Sequence, residues 1–379
     1  MTDLLRQRPQ ATQAMLDNWS DHSLISHALR FESALAQAQA AESIIDQSAA
    51  NAIAAACDTL QPDPAGLAEQ AALAGTLAIP LVEMLRDKVP TAHRPLVHRG
   101  ATSQDVVDTA TMIQVHRGTA LLNTDADRVL RALAVLARQY AATPAMGRTL
   151  LQDAIPISLG LRIAQWHAGI AGAWADFARY SEKYAVLQFG GAAGTRVGQE
   201  GKGSAVAARI AEMLGLPDSA PWHARRCGPA AIGSSLAILV GTVGKMARDI
   251  SLLSQNGIGE MCEPAIEGRG GSSAMPHKRN PTGSQVALSA ALRVPGLAAT
   301  LISGQPAEQE RSIGGWQADG PVLAELFLLA SGALSAIADV AEGLQVDLDS
   351  VSNALPDGDA DLGESADLIE TLLGTIEDR

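Results

Sequence analysis

Two-thirds of the way along the chain, Gly268 to Pro281 reads GRGGSSAMPHKRNP and packs several chemistries into one stretch. Ser272 and Ser273 offer hydroxyls for proton transfer. His277, Lys278 and Arg279 offer positive charge, and Asn280 an amide. Gly268, Gly270 and Gly271 leave the backbone permissive, while Pro281 is placed to open a helix. Such a loop suits closure over a small anionic substrate, with water excluded and a serine brought to a reacting carbon. A solvated connector is the plainer reading, and it leaves this ordering of residues unexplained.

Two further polar stretches carry reactive residue types. In HRGATSQD (His98–Asp105), Thr102, Ser103 and Gln104 stand at a helix start, where free N–H groups and the positive dipole end favour an anion. A simple N-cap would use the same residues. In GRTLLQDAIP (Gly147–Pro156), Arg148, Thr149 and Gln152 lie in an irregular break before a helix that starts after Pro156. His223 in PWHARR reads equally well as a capping histidine or a ligand; the pairs Arg225/Arg226 and Glu310/Arg311 read as solvated or structural. GQEGKGS fails as a phosphate loop because glycine follows its lysine. With no HExxH, paired CxxC or GxSxG present, no metal site, cofactor or nucleophile elbow is expected.

The elements that position these stretches are helical. Only 3% of residues are aromatic while 47% are hydrophobic, so alanine, leucine and isoleucine fill the interior, which suits close helix–helix packing. Thr102 and Asp105 have capping-box spacing and predict a helix of about forty residues. Val129, Leu133, Leu136 and Tyr140 share one face of it, with Arg128, Arg131 and Arg138 opposite. Similar runs follow at roughly 157–187, 222–257, 282–304 and 318–346. The expected fold class is all-α: a central bundle of about five long helices (101–346), a small N-terminal helical domain (1–100) and a shortened C-terminal helical tail (347–379). Long apolar stripes on such rods predict self-association.

Forty-one acidic against 28 basic residues give a net charge of −13, which speaks against nucleic acid as a partner. The three cysteines are scattered, as expected of reduced thiols in the cytoplasm. MTDLLRQRPQ lacks the apolar core of a secretory leader. The uncharged stretch from Cys227 to Val243 reads as a buried helix, so no membrane partner is expected.

GSSAMPHKRNP resembles the signature loop of the fumarase/aspartase superfamily, and TSQD and GRTLLQDA resemble its two other conserved regions, in the same order. The likeness runs over about residues 12 to 365. It implies a homotetramer with active sites shared between subunits, and Ser272 as the base that moves a proton on carbon next to a carboxylate. Lys278 and Asn280 match positions that hold that carboxylate; Thr102, Ser103 and Gln104 match the first substrate-binding region, Thr149 and Gln152 the second. His98, Arg148, Met275 and Arg311 complete the implied substrate-binding set, with Lys278 placed beside Ser272 in the catalytic pair. Amine-expelling members carry a histidine after the threonine of the second region, where this chain has Leu150. A departing carboxylate needs no acid. That difference favours a lactonising cycloisomerase acting on a small tricarboxylate. A carbon–nitrogen lyase of the adenylosuccinate type, or a non-catalytic homologue, is the alternative. Family members continue for several helices beyond DLGESADLIETLL, which leaves the C-terminal domain short.

Overall fold

The structure is a computed structural model that describes residues 4–271, 275 and 278–374. Six N-terminal helices come first: α1 (Leu4–Gln7), α2 (Gln13–Asn18), α3 (Asp21–Ala41), α4 (Gln47–Thr59), α5 (Pro64–Ala74) and α6 (Ala78–Lys88). Their ends follow local chemistry. Ser20 caps α3 by accepting from Ser23 N, and Asp63 caps α5 from Gly66 N with Pro64 at its first position.

Five long helices follow: α7 (Ser103–Gln139), α8 (Leu159–Tyr184), α10 (Cys227–Leu253), α11 (Thr282–Ser303) and α12 (Gly315–Glu342), with the short α9 (Gly203–Leu214) between the second and third. All five lie within or close to the expected runs. Contacts fix their directions. Ala137 near the end of α7 meets Gly160 at the start of α8, so these two run antiparallel. Arg226, at the start of α10, contacts Asp108 and Asp319, whereas Arg128 reaches Asp339 and Glu342. Thus α7, α10 and α12 begin at one end, here called the lower end. Gly283 against Val340 and Gly233 against Leu301 show α11 descending. The bundle is up-down-up-down-up, and each neighbouring pair buries its apolar stripe.

Close approach is bought with small residues. A Cβ on Gly118 would lie 2.7 Å from the Phe327 ring, so glycine in mid-α7 is what lets α12 seat its phenylalanine. Trp19 and Phe177 complete that cluster at centroid distances of 5.4 and 5.9 Å.

The expected break at 147–156 is instead an antiparallel hairpin, β1 (Pro144–Thr149) with β2 (Gln152–Ser158), bulged between Met146 and Arg148. Nothing in its composition carries an Asn-Gly turn signal, and both turn residues are leucines. A second two-strand pair, β3 (Met261–Cys262) with β4 (Gln345–Val346), precedes α13 (Leu348–Asn353) and α14 (Ser365–Gly374). The strands are short and the fold is all-α, as expected. By length and composition α10, α11 and α12 are each apolar enough to cross a membrane. In the bundle α10 and α12 bury most of that surface, but α11 buries only 28% of its most apolar stretch.

Candidate active site

At the lower end, α7 opens as its sequence demands. The Asp105 carboxylate accepts from Thr102 N at 2.9 Å, the acidic half of the capping box. Asp105 is fully buried, and it also accepts from Gly190 N and Gly191 N and meets His223 Nε2 at 2.8 Å. One turn on, Asp108 receives both Nη atoms of Arg226 at 2.7 and 3.1 Å, Trp316 Nε1 at 3.1 Å and the Gln104 amide at 3.1 Å. Arg226 turns its other edge to Asp319 at 2.6 and 2.8 Å. Burial pushes Asp319 up to about 6 despite the guanidinium. Burial would lower Arg226, yet Asp108 and Asp319 on either side raise it. This network ties the first turns of α7, α10 and α12 into one rigid base.

On that base the Thr102 hydroxyl accepts from Arg311 Nη2 at 2.7 Å, and Arg311 also donates to the Ala192 carbonyl. His98, four residues earlier, meets buried Glu32 through Nδ1 at 2.5 Å. Burial works against its protonation, but Glu32 and then Asp105 outweigh it, and its pKa is raised. His98, Thr102, Ser103 and Arg311 are all half-buried and gather here. Gln104 belongs to the base instead: it has no exposed surface, and its amide is spent on Asp108 and the His223 carbonyl.

The remaining expected residues stand at the upper end. Arg148 pairs with buried Glu260 at 2.5 Å and with Asp153 at 3.0 Å, which ties the hairpin, one rung from its turn, to the segment before β3. Thr149 and Gln152 face each other across the turn, both exposed, flanking Leu150 and Leu151, which are 97% and 74% exposed. Nearby, the neck of the glycine-rich stretch is closed by Asn280, whose backbone N donates to Gly270 O at 2.9 Å and whose amide donates to the Gly270 and Gly271 carbonyls. Arg269 on one side of the neck pairs with Asp339. On the other, Glu263 accepts from Gly283 N and Ser284 N at 2.9 and 2.7 Å, a carboxylate at the N-terminus of α11. Met275 and Lys278 are exposed. Ser272 and His277 lie outside the described residues.

Within one chain these groups do not converge. Asp319 marks the lower end of α12 and Asp339 the neck, and twenty residues at 1.5 Å each put them about 30 Å apart. The lower end offers a hydroxyl, a guanidinium and an imidazole, donors suited to fixed carboxylates. The upper end offers Lys278, Asn280 and the hairpin tip. Each chain thus presents two separate clusters of such donors.

A bundle of five long helices with polar and charged donors gathered at its two ends fits a lyase of the fumarase/aspartase class, and the comparisons agree. The Lyase family model matches residues 7–296, and the chain belongs to that family. It is 46% identical over 341 residues to 3-carboxy-cis,cis-muconate cycloisomerase of Bradyrhizobium diazoefficiens, covering 89% of this chain and 76% of the relative. Nitrosuccinate lyase of Streptomyces davaonensis is 39% identical over 342 residues, covering 87% and 72%. Among solved structures, the 3-carboxy-cis,cis-muconate lactonizing enzyme of Pseudomonas putida superposes with a TM-score of 0.88 at 35% identity, covering all of this chain and 89% of that one.

Sequence reasoning left Glu32, Asp105, Asp108, Arg226 and Asp319 without a part in the site. Asp105 was visible as a helix cap. The others meet ionic partners 66 to 118 positions away, and no local pattern signals such pairing.

Proposed function

We propose that this chain is a cycloisomerase that closes 3-carboxy-cis,cis-muconate to its lactone, a step of aromatic catabolism. One substrate carboxylate adds across a double bond. Negative charge develops on the neighbouring carbon and its carboxylate, and a proton then quenches it. Ser272 gives that proton and is recharged from solvent. Lys278 and Asn280 stabilise the developing charge, while Arg311, Thr102, Ser103 and His98 of another copy hold the fixed carboxylates. Thr149 and Gln152 contact substrate from the hairpin. Such prealigned donors, individually removed, commonly cost about 10²–10³ in rate.

The observation that carries this reading is Leu150, an apolar and almost fully exposed side chain at the hairpin tip. It offers no proton to a leaving amine, and a carboxylate asks for none.

The reading requires several copies around each site. The 30 Å between the two ends of α12 supports this. So does the uncovered face of the bundle, with Leu292 78%, Ile238 62% and Ile302 51% exposed. We take the assembly to be a homotetramer, soluble and cytoplasmic, with its three domains dividing near residues 100 and 346. Its free cysteines, one of them exposed, fit that compartment.

The test is loss of the diene's ultraviolet absorbance on incubation with 3-carboxy-cis,cis-muconate, with adenylosuccinate and nitrosuccinate run in parallel. Rapid loss with the muconate, reduced at least about 10²-fold in Ser272→Ala of unchanged assembly, is the expected result. Turnover of a succinate alone would overturn the reading.

A further inference from the structure

Glu32 lies on α3, far in sequence from all three site regions, and is 1% exposed. Its Oε1 meets His98 Nδ1 at 2.5 Å, while its Oε2 is buried with no hydrogen-bond partner. A buried carboxylate with one oxygen unsatisfied is costly, so the contact to His98 must be favourable in compensation. The histidine is also held unusually. His98 sits at φ +62°, a left-handed conformation that costs a non-glycine residue roughly 1 kcal/mol or more. Gly100, two residues on, is left-handed as well at +69°. The chain therefore bends sharply to bring this ring to Glu32. Among the described residues His98 Nε2 has no hydrogen-bond partner, and the ring stays 15% exposed beside the turn that leads into Thr102.

We propose that Glu32 is a positioning residue for the reaction: it holds His98 doubly protonated, so that Nε2–H stands fixed beside Thr102 and Arg311 as a charged donor to a carboxylate of the substrate that takes no part in bond making. The carboxylate–imidazole contact fixes the ring's orientation and favours the cation. The charged groups acting on the ring are Glu32 from α3, Asp105 from α7 and Arg86 from α6; the first two favour the cation and Arg86 opposes it. Behind Glu32, the Cys57 thiol of α4 is kept protonated by burial and by Glu32 itself. The inference rests on the proposed substrate only in naming a carboxylate as the ligand.

Two readouts separate it from a merely structural tie between α3 and the turn. The first is the titration of the His98 ring by NMR, its signal identified by its absence in His98→Gln. The second is kcat and KM for 3-carboxy-cis,cis-muconate between pH 5.5 and 9. In Glu32→Gln, which keeps size and shape, the ring should titrate at lower pH. KM near pH 7.5 should rise about tenfold with kcat changed far less, a loss of about 1.4 kcal/mol in binding. Lowering the pH should return KM toward the wild-type value. His98→Gln should show the raised KM at every pH. An unmoved ring titration in Glu32→Gln, or a loss of activity that acid does not reverse, overturns the proposal. If wild-type protein leaves the muconate untouched, the proposed substrate falls, and the ring titration alone decides the role of Glu32.

Discussion

His27 shows how a single side chain can set the acid limit of this protein. It is 2% exposed on α3, and its two ring nitrogens face the guanidinium groups of Arg30 and Arg117 at 3.4 and 3.3 Å. Burial, then Arg30 and Arg117, bring its pKa down to about 4, and burial lowers His167 as well. The unfolded chain takes up these protons first, near pH 6.5. Stability is therefore unaffected above about pH 6.5 and falls as the pH drops from there to about 4. Urea midpoints at pH 7.5 and 5.0 should differ by less in His27→Gln than in the wild type; an equal difference would contradict the assignment. Residue types of this kind were easy to find in the sequence, but their environments were not. Thr102 and Asp105 announced themselves as a cap because capping is local. Arg226 read as a solvated or structural residue, and its burial between two aspartates depends on how three helix ends meet.

At the scale of elements, helices were legible because apolar spacing marks a buried face along its full length. The hairpin was not, since Pro156 lies inside β2 and the turn lacks glycine or asparagine. Leu150 and Leu151 adopt φ of +52° and +64°, the conformation of a two-residue turn that Asn-Gly makes without strain. Replacing them by Asn-Gly should stabilise the hairpin by about 1–2 kcal/mol. It should also lower turnover at least about tenfold if the exposed leucines wall off water from the substrate. Thermal unfolding and kcat measured on the same variant give the two answers. Activity at the wild-type level would show that the tip's apolar surface is dispensable. The described residues of the glycine-rich stretch, 268–271, 275 and 278–281, are non-helical, as its glycines and prolines predict. Asn280 closes the neck within the stretch itself, but the anchoring of its two sides by Arg269 and Glu263 depends on contacts with α12 and α11 that its own residues do not encode.

At the scale of the whole molecule, the all-α class followed from composition and the parallel rise of α7, α10 and α12 from the long runs taken with their contacts. The several copies proposed above were foreshadowed by the long apolar stripes of the rods, and α11 leaves most of its most apolar stretch unburied. The geometric argument for them emerges only once Arg311 and the Asn280 neck are seen at opposite ends of α12. That separation has a genetic consequence. On the proposed function, a chain crippled at the lower end, such as Arg311→Ala, keeps a sound upper end, and Lys278→Ala is damaged in the converse way. Neither protein is expected to work alone. If the two are dissociated, mixed in equal amounts and allowed to reassemble, about a quarter of the sites draw both sound parts from different parents. Two inactive alleles would then complement each other in one cell, and a pair of lesions confined to the same end would not.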